Sequence, residues 1–315
     1  MLALQNKFKG RHLLTLADYS GDEIKTILEV AAHIKQKHKS SIPTPYLQGK
    51  TLAMIFQKAS TRTRVSFEVG MYQLGGRSLF LSSKDIQLGR GETVADTARV
   101  MSRFVDGIMI RTFAQSDMEE LARHADIPVI NGLTDLTHPC QILADLLTIK
   151  EHKGKLAGLK LAYVGDGNNI AHSLLLGGSK VGMHVAVASP RGYQPNDTIV
   201  RLAKEACAGS GGRVEVLTDP VAAVSGADVV VTDVWTSMGQ EAEAEQRVKV
   251  FTPYQVNSRL TSHAKPDYIF LHCLPAHRGE EVTAEIIDGP HSVVWDEAEN
   301  RLHAQKAVLT LLMAD

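Results

Sequence analysis

The chain has 315 residues, 44% apolar and 22% charged, a globular balance with room for two α/β domains. Its 34 Lys and Arg stand against 35 Asp and Glu, leaving no basic excess for nucleic acid and no polybasic tract for anionic lipid. The three cysteines, Cys140, Cys207 and Cys273, are widely separated and form no C-x-x-C pair, which argues against a disulfide scaffold or structural zinc; no apolar run is long enough to span a bilayer.

Met1–Arg11 is polar and basic, without a signal-peptide apolar region, so a reducing cytoplasm is the expected setting. Ser20-Gly21-Asp22-Glu23 has capping-box spacing, and Ile24, Ile27, Leu28, Ala31 and Ile34 share one helical face. Pro43 and Pro45 break that pattern before a strand over Thr51–Phe56. A helix over Val65–Leu74, a short strand at Leu79–Ser82, a glycine-rich turn at Gln87–Gly91 and a helix at about Glu92–Phe104 follow. Strand Gly107–Arg111, helix Met118–His124 and strand Pro128–Asn131 come next. Pro139 opens a helix to about Glu151, and Lys153-Gly154-Lys155 reads as a boundary. A second alternation takes strand Lys160–Val164, helix Ile170–Val181, strand Val185–Ala188, helix Ile199–Ala206, and strands Val214–Leu217 and Val229–Thr232. Glu241–Lys249 is charge-rich and reads as a solvated, mobile loop or helix start. Strand Tyr268–His272 precedes a loop, and Arg301–Met313 is a closing helix. Strands alternating with helices predict an α/β protein of two domains, 1–150 and 151–315, each a parallel sheet flanked by helices.

Ser60-Thr61-Arg62-Thr63-Arg64 falls between the first strand and its helix. Backbone N–H groups at a helix start favour an anion. Three hydroxyls and two guanidiniums join them here, and arginine forks match phosphate oxygens in pairs. The plain alternative is a capped helix with solvated arginines. With net charge near zero, the expectation is a small phosphate ligand held locally.

Polar residues recur where strands end: Arg111; His138-Pro139-Cys140-Gln141 at a helix start; Asp233 ahead of Ser237-Met238-Gly239; and His272-Cys273-Leu274-Pro275. Ligands of open α/β sheets bind beyond the carboxyl ends of strands. Each residue alone fits a cap, a turn or a core position, and their recurrence points to a site. His272 and Cys273 are neighbours on a strand, so their side chains part to opposite faces and form no nucleophile–base dyad. Gly165-Asp166-Gly167-Asn168-Asn169 partly matches a dinucleotide fingerprint, but Ile170 replaces the third glycine and no acid follows the next strand to hold a ribose. Arg191 would suit a 2′-phosphate, which keeps an NADP-dependent dehydrogenase as a rival beside a plain tight turn. Asn168 and Asn169 are suited to orienting ammonium and carboxylate groups.

Together these motifs resemble the aspartate/ornithine carbamoyltransferase family over nearly the whole chain. Ser60–Arg64 is similar to its carbamoyl-phosphate motif and His138–Gln141 to its H-P-x-Q motif. Asp233 with Ser237-Met238-Gly239, and His272–Pro275, resemble the D-x-x-x-S-M-G and H-C-L-P motifs of its ornithine branch. The resemblance implies a carbamoyl-phosphate-binding domain at 1–150 and an ornithine-binding domain at 151–315, the final helix (about 301–315) packing back on the first. It also implies a homotrimer with neither metal nor organic cofactor.

The implied reaction transfers the carbamoyl group to the δ-amine of L-ornithine, giving L-citrulline and phosphate, in arginine biosynthesis or in reverse. Ser60, Thr61, Arg62 and Thr63 would take the phosphate, with Gln87 reaching it from a neighbouring subunit. By the same resemblance Arg111 and His138 reach the carbonyl oxygen, Gln141 the carbamoyl amide, and Arg301 the same ligand, while backbone carbonyls of Cys273 and Leu274 accept from its amide. Asp233, assisted by Ser237, suits the α-ammonium; Asn169 and the Met238 backbone suit the α-carboxylate; Cys273 lies near the attacking amine. Arg111, His138, Cys273 and Arg301 form the implied catalytic set. An alkyl amine has a pKa of about 10.4, so the site must take its neutral form, and with no obvious base the departing phosphate is the candidate proton acceptor. A non-catalytic anion binder would not need Arg111, His138 and Asp233 together. Putrescine has no carboxylate for Asn169, and N-acetylornithine no charged α-amine for Asp233.

Overall fold

Two all-parallel sheets organise the computed structural model, which describes residues 7–83, 86, 91–237, 239 and 241–315. The first unit runs to Tyr19, resumes over Lys25–Leu143 and ends with Arg301–Asp315; the second takes Ser20–Ile24 and Ala144–Asn300. Helix α1 (Gly21–Lys39) starts on a reciprocal capping box, Ser20 N–H donating to Glu23 Oε2 at 2.8 Å and Glu23 N–H to Ser20 Oγ at 3.2 Å.

In the first unit the strands β1 (Thr51–Phe56), β2 (Arg77–Ser82), β3 (Gly107–Arg111) and β4 (Val129–Leu133) lie in the order β2-β1-β3-β4. Helices α2 (Thr61–Gln73), α3 (Val94–Phe104) and α4 (Gln115–His124) connect them. Ala53, Ile55, Ile108 and Ile110 pack against Ala98 of α3 and Met118 and Leu121 of α4, so the apolar runs of β1 and β3 become a buried layer. The β3–β4 register slips by one residue: Ile110 faces Asn131 but Arg111 faces Leu133. Gly132 sits at the slip, where a Cβ would come within 2.5 Å of Met109 Sδ. The extra residue lies in β4, opposite the end of β3 where Arg111 stands.

The second unit orders β5 (Lys160–Val164), β6 (His184–Ala188), β7 (Arg213–Leu217), β8 (Val229–Thr232) and β9 (Ile269–His272) as β7-β6-β5-β8-β9. The intervening helices include α5 (Pro139–Lys153), which leads in from the first unit, α6 (Asn169–Lys180), α7 (Asp197–Ser210), the short α8 (Pro220–Val224), α9 (Ala244–Phe251), the short α10 (Ser258–Thr261) and α11 (Ala284–Ile287), and finally α12 (Val294–Met313). Strand order reverses between β1 and β3 in one sheet and between β5 and β8 in the other, and the loops leaving those strands carry the motifs.

Helix α12 begins at Val294, seven residues before the expected Arg301. Its first turns bury polar groups: Glu297 accepts from the His272 N–H, and Asn300 donates to Thr148 Oγ1 and Glu151 Oε2. Paired polar residues on the inner face hide the apolar period. Glu241–Lys249 takes the helix-start alternative, entering α9, and departs from the solvated reading only where Arg247 is buried. Among the described residues no helix is long and apolar enough to cross a membrane.

Candidate active site

In the first unit, Ser60 is extended (φ −163°, ψ 117°) and caps α2, its Oγ accepting from the Thr63 N–H at 3.2 Å. Thr61 and Arg62 stand exposed on the first turn, while Thr63 is buried and its Oγ1 accepts from Arg301 Nη2 at 3.1 Å. The second arginine of the motif goes elsewhere: Arg64 Nε donates to Glu68 at 3.0 Å, and its guanidinium lies 3.7 Å from the Phe80 ring centre. Two residues along a helix turn the side chain by roughly 200°, so Arg62 and Arg64 cannot share one pocket.

Arg111, His138, Gln141 and Arg301 are all buried. His138 precedes the first helical residue of α5, Pro139, and follows a tight turn closed by Thr134 N–H to Thr137 O at 3.0 Å. One turn into α5, Gln141 Oε1 accepts from Arg301 Nη1 at 2.7 Å. Burial first, then the charges of Arg301, Arg111 and Arg62, push the His138 imidazole well below its usual range. The ring is therefore neutral and offers one N–H rather than a cation, among three guanidiniums that favour an anion. Lys58, which the sequence reading passed over, is buried, paired with Asp135 and 4.4 Å from the Phe113 ring centre. Its only advance signal is a lysine two residues after an apolar strand.

In the second unit, Asp233 follows β8 and is buried. Its Oδ2 accepts from Asn168 Nδ2 at 2.8 Å; its Oδ1 accepts from the Val234 N–H at 2.9 Å and from Cys273 Sγ at 3.1 Å. Asn168 also caps α6, Oδ1 accepting from the Ile170 and Ala171 N–H groups at 3.0 and 3.3 Å. Asn168 thus links the helix start to Asp233, whereas Asn169, the first residue of α6, and Ser237 are part-exposed near that pair in sequence. Gln87 and Met238 lie outside the described residues.

The adjacent pair at the end of β9 separates as alternation requires, Cys273 to Asp233 and His272 to Glu281. Burial first, then Asp233, push the Cys273 thiol well up, so it is a protonated donor and not a thiolate. Donor atoms of Asp233, His272 and Cys273 come within 4.8 Å of one another, but each is already committed to these hydrogen bonds, and the set reads as a polar cluster.

The dinucleotide reading fails on Gly167. A Cβ there would meet Gln194 C and Pro195 N at 2.3 Å, so its missing side chain accommodates the chain's own segment and not a pyrophosphate. Arg247, buried on α9, donates to Trp235 O at 2.6 Å and pairs with Asp166, tying the Gly165–Asn169 loop to the loop after β8. Burial raises Asp166 to about 6 against the pull of Arg247. Sequence reasoning missed this tie because nothing marks Arg247 among its charged neighbours.

Residues 11–151 match the model of the aspartate/ornithine carbamoyltransferase carbamoyl-P binding domain, and residues 157–312 that of the Asp/Orn binding domain. The chain is 66% identical to the ornithine carbamoyltransferase of Carboxydothermus hydrogenoformans, over 97% of this chain and 98% of the relative. It superposes on the solved ornithine carbamoyltransferase of Pyrococcus furiosus with a TM-score of 0.95 at 62% identity, covering 97% of both chains. The Giardia lamblia ornithine transcarbamoylase structure gives 0.88 at 37% identity, over 97% of this chain and 99% of that one. Matched on both sheets by the models of one family, and along its length by relatives of one kind, the chain belongs to the aspartate/ornithine carbamoyltransferase family.

Proposed function

We propose that the chain transfers the carbamoyl group of carbamoyl phosphate to the δ-amine of L-ornithine, releasing L-citrulline and phosphate. The observation that carries this reading is a pair of complementary sites within one family's two domains. One gathers arginines around a neutral imidazole; the other ends in a buried carboxylate bonded to a thiol and an amide. The first unit takes carbamoyl phosphate and the second takes ornithine, the final helix belonging to the first unit from Arg301 on.

Ser60, Thr61, Arg62 and Thr63 bind the phosphate, with Gln87 supplied by a neighbouring subunit. Arg111, Arg301 and the His138 N–H face the carbonyl oxygen, where negative charge grows as the amine adds. Gln141, its oxygen held by Arg301, and the carbonyls of Cys273 and Leu274 receive the carbamoyl N–H groups. Asp233, with Ser237, pairs with the α-ammonium, and Asn169 with the Met238 backbone takes the α-carboxylate. The neutral δ-amine attacks the carbonyl carbon, the C–O bond to phosphate breaks, and the departing phosphate takes the amine proton. Cys273, held as a thiol, orients Asp233 and the amine and forms no covalent bond to the carbamoyl group.

The same reading includes a homotrimer. It is supported by β2, an edge strand with exposed Leu79 and Phe80, and by Tyr72 and Phe104, 81% and 74% exposed on the same unit. Three free cysteines support the cytoplasm. The Pyrococcus furiosus relative, 62% identical, is named anabolic, which favours arginine biosynthesis here. Incubating the purified chain with carbamoyl phosphate and L-ornithine tests the proposal: citrulline and phosphate should appear one for one, and phosphate release without citrulline would refute it.

A further inference from the structure

His272 and Glu281 have side chains that are 0% exposed, and neither belongs to the reaction set above. The imidazole Nδ1 accepts from the Leu274 N–H at 2.9 Å, which leaves the ring proton on Nε2. Nε2 in turn lies 3.2 Å from Glu281 Oε1, an oxygen that also accepts from the His277 N–H at 2.6 Å. The His272 N–H donates to Glu297 Oε2 at 2.8 Å, so the ring is held at both nitrogens and the strand end at its own amide. What this arrangement braces is Leu274, whose φ of +58° is a left-handed conformation that a leucine avoids without support. The φ of Leu274, together with its ψ, sets the angle between the Cys273 and Leu274 carbonyls.

We propose that Glu281 is a positioning residue. By accepting from Nε2 it holds His272 in the tautomer whose Nδ1 anchors the Leu274 N–H, and thereby aims the two carbonyls that receive the carbamoyl amide. The other tautomer would set two donors, Nδ1–H and the Leu274 N–H, against each other in a dry site. The inference rests on the reading of those carbonyls as amide acceptors.

Glu281→Gln keeps an acceptor for Nε2 and for the His277 N–H; Glu281→Leu keeps none. Glu281→Leu should lower kcat/KM for carbamoyl phosphate about tenfold or more, while inhibition by inorganic phosphate, which has no amide, moves by less than about twofold. Glu281→Gln should stay within about threefold of the parent enzyme. A crystal structure of Glu281→Leu should show Leu274 turned out of its left-handed conformation. Leu274 unmoved in that structure, or equal loss in the Gln and Leu variants, would overturn the brace. Leu274 turned but carbamoyl-phosphate kinetics unchanged would overturn the reading of the carbonyls and leave the brace standing. If Glu281→Leu does not fold, His272→Asn against His272→Leu decides, because asparagine offers an oxygen near the Nδ1 position and leucine offers nothing. The asparagine variant should keep about ten times more activity, and equal loss would overturn the proposal.

Discussion

Replacing Asp233 with asparagine removes one charge and one acceptor at nearly constant volume. The new amide oxygen can keep the Val234 N–H and the Cys273 thiol, the two partners of Oδ1. Its NH2 group then faces Asn168 Nδ2, which now donates to Asp233 Oδ2 at 2.8 Å. Asn168 cannot turn over to help, because its own oxygen caps Ile170 and Ala171. The donor–donor contact costs about 1–2 kcal/mol. The lost charge pair with the α-ammonium costs about 2–4 kcal/mol more. At saturating carbamoyl phosphate, kcat/KM for ornithine should therefore fall by about 10²–10⁴. Calorimetry should show carbamoyl-phosphate affinity changed by less than about threefold, since Arg62, Arg111 and Arg301, the cations proposed for it, stand on the first unit. A third readout follows from the thiol: with Asp233 neutralised, Cys273 loses one of the causes that hold it up and should alkylate faster at fixed pH. Equal weakening of both ligands, or an unchanged ornithine kcat/KM, would refute the assignment of Asp233.

Arg62→Ala should weaken carbamoyl phosphate by about 2–4 kcal/mol, while Arg64→Ala, which breaks a surface pair with Glu68, should leave its Kd nearly unchanged; equal effects in a binding titration would undo the helix-phase argument. Between about pH 7 and 9 turnover should rise as the δ-amine of ornithine loses its proton, because His138 is already neutral below that range and Cys273 remains a thiol above it. Cys273→Ala and His138→Gln should slow turnover without moving the midpoint of that limb, and a shifted midpoint in either would assign it to the protein. Mixing Arg62→Ala with Gln87→Ala subunits after dissociation should restore activity above either parent, provided each is impaired alone; activity at the mean of the two would confine the site to one chain.

The alternation of apolar strands and amphipathic helices made both parallel sheets legible, since runs such as Thr51–Phe56 and Gly107–Arg111 are buried on both faces. The motif residues were legible because the chain repeats one device, polar groups at strand ends. What the sequence concealed depends on three-dimensional phase and pairing. Arg62 and Arg64 look equivalent in a string but not on a helix. Glu297, Asn300 and Arg247 look solvent-facing by type, yet each is buried because a partner from a distant segment satisfies it. Gly167 looked like a phosphate glycine, and only the close approach of residues 193–195 shows what its missing Cβ accommodates. Asn168, an amide suited by type to a substrate group, also caps Ile170 and Ala171, donates to Asp233 and accepts from the Tyr163 hydroxyl, bonds that no string of residues reveals.

Substrate choice by the second unit is best tested by one competition measurement. The purified chain, given carbamoyl phosphate with ornithine, putrescine, N-acetylornithine, lysine and aspartate in turn, is assayed for each carbamoylated product. Asp233 and the carboxylate ligands require kcat/KM for L-ornithine to exceed that of every other amine by about 10² or more, with citrulline as the product. Carbamoyl-aspartate as the preferred product, or putrescine used as well as ornithine, would contradict the assignment of the second unit as an ornithine site.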